Sequence, residues 1–385
     1  MSHPKIILAA GGTGGHMFPA SALAAELQKE GYEVHLLTDK RGMGFIEQLV
    51  AMDVHKIPAA TVYSGGVLAL PLRLLTLVFT MIVSMVLILR LKPKAIVGFG
   101  GYPSFGPVMG GLVLRRTVLV HEQNAVLGRV NRLAAMFGSS VATSYTNTVN
   151  VPTKAAERLR KTGNPMRPAV LKAAQGGYRF LSRSRPFDLL IFGGSQGAAI
   201  FAEIVPQALA LLSDTQRRRL RIVHQVRRED MRSTLDAYSA LGIYAEIRDF
   251  FSDLPTRMRR AHLVIGRGGA GTLAELAALG APSIIVPLAG SLDQDQAHNA
   301  RELAEAEGAI MLKQSNLTPT SLAEAMEPLM TDETRLQTMS ERARSFGELD
   351  AAGRLGRYTS CLARGVPVQI EVPLTEANKK KVSHG

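Results

Sequence analysis

The residue best placed to do chemistry is His16. It stands at the mouth of a run of glycines, Gly11-Gly12-Thr13-Gly14-Gly15, that follows the apolar run Ile6–Ala10. Glycine lets the backbone take positive φ and approach a ligand closely. An imidazole there can move a proton near neutral pH. Taken alone, such a histidine reads better as a helix-capping or merely exposed residue, and the rest of the chain shifts that weighting. The apolar run suits a buried parallel strand, and Pro19 suits the first turn of a helix over residues 20–29. In open α/β sheets, ligands bind where strands end and helices begin.

The same device recurs. The run GFGGYPSFGP spans residues 98–107, and GGSQG follows a strand over residues 187–192. GRGGAGT, residues 266–272, follows a strand over residues 262–265. Gly268–Thr272 would present free backbone N–H groups at a helix start, a natural diphosphate site. Glu275, one turn on, is spaced to reach a ribose hydroxyl pair, or simply favours the helix dipole. Asp293-Gln294-Asp295 matches a D-x-D metal triad only formally, with His298 nearby. Asp293, Gln296 and Asn299 read better as binders of hydroxyl groups, with a metal-dependent transferase as the minority reading.

A dinucleotide site is disfavoured, because the sixth position from Gly12 is Met17 rather than glycine. Asp39, after a second strand at residues 33–38, could still serve as a ribose acid. No G-K-[ST] follows the first loop, so it is not a Walker A loop either.

The elements that position these turns follow the rhythm strand, turn, helix. Further strands are expected at 95–98, 117–121, 139–143, 221–225, 244–247 and 283–286. That is the pattern of doubly wound parallel sheets. The chain has 385 residues, enough for two domains. The rigid stretch Gly163-Asn164-Pro165-Met166-Arg167-Pro168 marks the joint. The expected domains are 1–165, 166–365 with a terminal helix returning to the first, and a charged, disordered tail at 366–385.

The net charge is +13, and residues 1–165 hold 17 Lys+Arg against 8 Asp+Glu. A basic surface suits anionic lipid or a polyanionic substrate. No aromatic-interleaved or zinc-finger motif points to nucleic acid. One cysteine, Cys361, and no leader-like segment before the first strand fit a reducing cytoplasm. Residues 74–89 carry no charge and are bracketed by Arg73, Arg90, Lys92 and Lys94. Three readings stay open, a buried helix, an interfacial helix or a spanning one, with interfacial or partly buried ranked first and spanning last.

The motifs GGTGGHMFP, GFGGYPS, HEQN, GNPMR, GGSQGA, RGGAGTLAE and DQDQAHNA occur in this order. The chain thereby resembles the MurG family, glycosyltransferase family 28, from Lys5 to about Arg364. The resemblance implies an α/β GT-B fold: two Rossmann-like, doubly wound parallel-sheet domains facing a cleft. It implies an inverting transfer of GlcNAc from UDP-GlcNAc to the MurNAc 4-hydroxyl of lipid I, giving lipid II for peptidoglycan. The first domain would take the acceptor and the membrane, and the second UDP-GlcNAc.

Carried over by motif, Thr13, Gly14, Gly15, Asn124, Arg167, Ser195, Phe251 (through its backbone), Ala270, Gly271, Thr272, Glu275 and Gln296 would contact the donor. Gly14, Gly100, Gly101 and Tyr102 would receive the acceptor diphosphate. His16 would be the general base, with Glu122 as second candidate. No metal or other cofactor is expected. The implied setting is peripheral, on the cytoplasmic face of the bacterial inner membrane, with its anionic surface and the cell-wall synthesis and division proteins as partners. Where some relatives have glutamine before Gln296, this chain has Asp295, and the 74–89 stretch is unusually apolar. Alternatives are a UDP-GlcNAc 2-epimerase-like enzyme, a non-catalytic nucleotide-sugar binder at the membrane surface, and an NAD oxidoreductase.

Overall fold

The computed structural model describes residues 3–58, 70–176, 186–194 and 197–368. The chain divides into two units. The first comprises Met1–Arg167 and Leu349–Gly385, the second Pro168–Glu348. The expected tail lies outside the described residues beyond Val368.

In the first unit, seven parallel strands form one sheet: β1 (Lys5–Ala9), β2 (Glu33–Thr38), β3 (Asp53–Lys56), β4 (Ala95–Gly98), β5 (Val118–Glu122), β6 (Ser140–Thr143) and β7 (Leu159–Lys161). Their spatial order is β3-β2-β1-β4-β5-β6-β7. The order reverses between β1 and β4, so connections leave the sheet in opposite directions there and open a crevice at the strands' carboxyl ends. The turns of Gly11–Gly15 and Gly100–Gly101 follow those two strands. Topology alone thus brings the first two glycine motifs together.

The second unit repeats the plan with β8 (Phe187–Phe192), β9 (Leu220–Gln225), β10 (Tyr244–Arg248), β11 (Leu263–Gly266), β12 (Ser283–Ile285) and β13 (Ile310–Met311). Its order, β10-β9-β8-β11-β12-β13, reverses between β8 and β11. There the strand ends Phe192 and Gly266 lie side by side, each followed by a glycine turn. Central strands are buried on both faces, as Ile6, Ile7 and Leu8 are in β1 and Leu189, Leu190 and Ile191 in β8.

Two expectations are corrected. The first helix begins at Gly14, not residue 20, and runs to Lys29 with Pro19 inside it. Pro19 forfeits only one hydrogen bond, one turn from the start, which a packed helix tolerates. His16 consequently sits within the first helical turn. The helix Leu70–Leu91 is partly buried along its described side chains. Ile88, Thr80 and Ser84 face inward, while Leu75, Val78, Phe79, Ile82, Val86 and Leu89 face out. Among the described residues no helix is long and apolar enough to cross a membrane. Its polar side packs on the helix Tyr102–Val113, where a Cβ on Gly106 would lie 2.7 Å from Thr80 and 2.9 Å from Ser84. The second correction concerns Asp39 and is given with the site.

The helix Ala351–Arg364 belongs to the first unit. Leu355 and Tyr358 join the core that β1 and the first helix build, and the Tyr358 hydroxyl donates to the Arg158 carbonyl at 2.7 Å.

Candidate functional site

His16 is half-buried, and its Nδ1 lies 3.1 Å from the Gly11 carbonyl oxygen. Burial pushes its pKa below the ordinary imidazole value, and Arg41 adds to this. The Gly11 bond and Asp39 act the other way. The ring lies against the second glycine turn: a Cβ on Gly101 would come 3.2 Å from His16 Cε1. Gly101 also has φ +71° and ψ 167°, a region closed to other residues. Thr13 caps the helix with its backbone; its hydroxyl makes no capping bond, and its side chain is exposed. Gly14 admits Phe18, whose Cε2 a Cβ there would meet at 2.8 Å. Arg167 stacks over the Phe18 ring, 4.8 Å from its centre. Tyr102 opens the helix after Gly101, half-buried, with its phenol pKa raised by burial.

Asp39 is not placed as a ribose acid. It is buried, and its Oδ1 accepts the N–H of Gly12 at 3.1 Å and of Gly42 at 2.9 Å. Arg41 Nε meets Oδ2 at 3.3 Å. A Cβ on Gly11 would strike Oδ1 at 2.7 Å. Asp39 therefore ties the first glycine turn to the loop after β2.

The HEQN segment works as a brace. His121 Nε2 donates to the Gly163 carbonyl at 2.9 Å and Nδ1 accepts from Gln123 at 2.9 Å. This couples β5 to the turn that carries Asn164 and Arg167. Burial holds the His121 pKa down at about 4, so the ring stays neutral. Glu122 is buried, and both its oxygens are engaged. Oε1 accepts from the Asn124 backbone at 3.0 Å and its side chain at 3.2 Å. Oε2 accepts from Gly128 N–H at 2.8 Å and Asn131 at 2.9 Å. Burial raises the carboxyl pKa against these four bonds. A carboxylate so saturated holds a loop in place; it has little left to offer a substrate hydroxyl.

In the second unit, Gly269 caps the helix Ala270–Leu279. Ala270 is buried, and Gly271, Thr272 and Glu275 are half-buried along its first turns. Gln296 Oε1 accepts the N–H of Gly268 at 3.2 Å and of Leu288 at 3.0 Å, which leaves its NH2 to donate. A Cβ on Gly268 would lie 2.5 Å from the Gln296 carbonyl oxygen. Asn299 is buried and donates to the Gly268 carbonyl at 3.1 Å, so it braces the turn rather than meeting a ligand hydroxyl. Asp293 and Gln294 both take left-handed backbone, at φ 56° and 52°. Such conformations cost about 1 kcal/mol or more each and collect where loops are shaped for binding. Among the described residues Asp293, Asp295 and His298 do not gather as a metal-ligand set. The Phe251 ring is buried beneath Arg257, 4.4 Å from its centre. Arg257 is itself held by Glu246 at 2.6 Å and Asp253 at 2.8 Å. Ser195 lies outside the described residues.

One residue carried no assignment from sequence. Arg267 is buried behind the glycine turn, donating to Gln314 at 2.7 Å and the Val286 carbonyl at 3.2 Å, over the Phe201 ring. Burial lowers its pKa. An arginine inside a glycine run was the available signal.

Two family models match the chain: the glycosyltransferase family 28 N-terminal domain over residues 6–143 and the C-terminal domain over residues 188–355. The chain is 45% identical over 352 residues to the UDP-N-acetylglucosamine–N-acetylmuramyl-(pentapeptide) pyrophosphoryl-undecaprenol N-acetylglucosamine transferase of Rhodopseudomonas palustris strain HaA2, covering 91% of this chain and 96% of the relative. The same-named protein of Rhodospirillum centenum is 44% identical, covering 92% and 93%. Among solved structures, Acinetobacter baumannii MurG superposes with a TM-score of 0.75 at 28% identity, over 93% of this chain and 99% of that one. A putative UDP-N-acetylglucosamine 2-epimerase of Listeria monocytogenes gives 0.69 at 13% identity, covering 96% and 99%, a likeness of fold alone.

Proposed function

The chain belongs to glycosyltransferase family 28, and from that premise we propose that it transfers GlcNAc from UDP-GlcNAc to the MurNAc 4-hydroxyl of lipid I, forming lipid II. The fold is the α/β, GT-B type with two Rossmann-like parallel-sheet units. The observation that carries the chemistry is the hydrogen bond of His16 to Gly11. A carbonyl only accepts, so Nδ1 holds the ring proton and Nε2 keeps a lone pair. Nε2 takes the proton of the attacking hydroxyl. The oxygen then attacks the anomeric carbon from the face opposite UDP, and the carbon–oxygen bond to UDP breaks with inversion.

The departing diphosphate gathers negative charge. The N-terminal amides of the helix Ala270–Leu279 are suited to receive it, with Thr272 beside them and Arg167 as a cation. Glu275 is suited to the ribose, the Phe251 backbone to the uracil, and Gln296 with Ser195, Asn124, Thr13 and Gly15 to the sugar and phosphates. Gly14, Gly100, Gly101 and Tyr102 are suited to the acceptor diphosphate. Glu122 is assigned to holding the loop.

A lipid-linked acceptor requires a membrane surface. The outward apolar face of the helix Leu70–Leu91, with exposed Arg90, Lys92 and Lys94 at its end, supports peripheral docking on anionic headgroups.

The test is transfer of labelled GlcNAc to a lipid I analogue, and UDP release with and without it. Wild type releases UDP only with acceptor. His16→Ala lowers kcat about 10²–10⁴-fold and leaves UDP-GlcNAc affinity near normal. UDP release without acceptor would favour epimerase-like chemistry instead, and full activity of the variant would move the base elsewhere.

A further inference from the structure

The amino ends of β2 and β3 carry a cluster that the transfer reaction does not use. Glu33 and His35 alternate on β2 as Asp53 and His55 do on β3, and the register sets His35 beside Asp53. The glycine turns leave the opposite, carboxyl ends of this sheet. Donor atoms of Glu33, His35 and Asp53 lie within 4.8 Å of one another. His35 Nδ1 is 3.1 Å from His55 Nε2 and 3.6 Å from Asp53 Oδ2.

His35 is almost fully buried. Its Nε2 lies 2.9 Å from Glu33 Oε1, yet lacks the in-line geometry of a hydrogen bond. The ring thus presents Nδ1 to His55 and Asp53 and Nε2 to Glu33. Four-coordinate zinc, with ligands at about 2.0–2.1 Å, sets its donor atoms roughly 3.3 Å apart. The two distances at His35 Nδ1, to His55 Nε2 and to Asp53 Oδ2, bracket that value. β3 is the edge strand, so the site is open to solvent, and Asp53 is largely exposed.

We propose that His35 Nδ1, His55 Nε2 and Asp53 bind a divalent transition-metal ion of the zinc type, with Glu33 orienting the His35 ring from its other nitrogen. Imidazole and carboxylate donors without a thiolate suit zinc, cobalt and nickel above magnesium or calcium. The ion pins the edge strand to its neighbour and takes no part in sugar transfer. Lys5 is the built-in competitor: its ammonium holds Glu33 Oε1 at 3.1 Å.

The test uses the untagged full chain and metal salts alone. Titration calorimetry with zinc chloride is expected to give one site per chain, and cobalt(II) the visible absorption of a four-coordinate complex. Zinc raises Tm by about 3 °C or more, and chelation reverses this. His55→Gln and Asp53→Asn, both near the open edge, each weaken binding about tenfold or more. Lys5→Gln tightens it several-fold, roughly as removal of an adjacent like charge requires. No zinc binding by the wild type, or binding unchanged in both weakened variants, overturns the proposal.

Discussion

His16 Nδ1 and the carbonyl oxygen of Gly11 lie 3.1 Å apart, five residues from each other along the chain. The contact fixes the tautomer, so Nε2 is the nitrogen left to act as the proposed base. Burial lowers the imidazole pKa. Protonation destroys the base, so activity is lost only as pH falls below that lowered value. The acid limb of kcat/KM is therefore expected below pH 6.5. Arg41→Gln removes a cation that depresses the pKa and shifts the limb upward. An acid limb well above 6.5 in the wild type would contradict this.

Gly101 is the wall behind that imidazole. Gly101→Ala places a methyl 3.2 Å from His16 Cε1 at a backbone conformation alanine avoids. The expected cost is about 1–3 kcal/mol of stability. Displacement of the ring lowers kcat by about 10²-fold. Thermal unfolding and steady-state kinetics read the two effects separately. Wild-type kcat in this variant would show that the ring position does not matter.

Glu122→Gln distinguishes a brace from a base. The glutamine NH2 faces donors that need an acceptor, and each buried group left unpaired costs about 1–3 kcal/mol. Tm should fall by several degrees while the acid limb of the rate profile stays where His16 sets it. A rate loss above 10²-fold with unchanged Tm would instead make Glu122 the base.

The two units each bury a neutral histidine, His121 with a pKa of about 4 and His224 with one of about 3. Unfolded, both titrate near 6.5. Between these values the unfolded chain binds more protons, so stability is complete above pH 6.5 and lost as pH falls. At pH 5 the loss is about 2 kcal/mol per histidine. Urea midpoints at pH 7 and 5 measure it, and His224→Leu should flatten the slope of its unit. Equal midpoints in the wild type would refute the account.

The strands and glycine turns were legible because short apolar runs before glycine clusters have few other readings. β2, β4 and β8 fall at the expected residues. The edge strand β3 was not, since Asp53–Lys56 is mostly polar and only pairing with β2 makes it a strand. Local signals also misplaced the first helix, because Pro19 resembles a start and the preceding glycines resemble a loop. The roles of Asp39, His121 and Arg267 depend on partners distant in sequence. Asp39 has the sequence position of a ribose acid, but the N–H groups of Gly42 and Gly12 converge on it.

Because the helix Ala351–Arg364 completes the core begun at Lys5, the second unit is topologically an insertion within the first. During synthesis the first unit stays unfinished until the final turns leave the ribosome, while every residue of Pro168–Glu348 has already emerged. The inserted body can fold first, and a chain stopped before Leu349 should leave an intact second body attached to an unsealed first one.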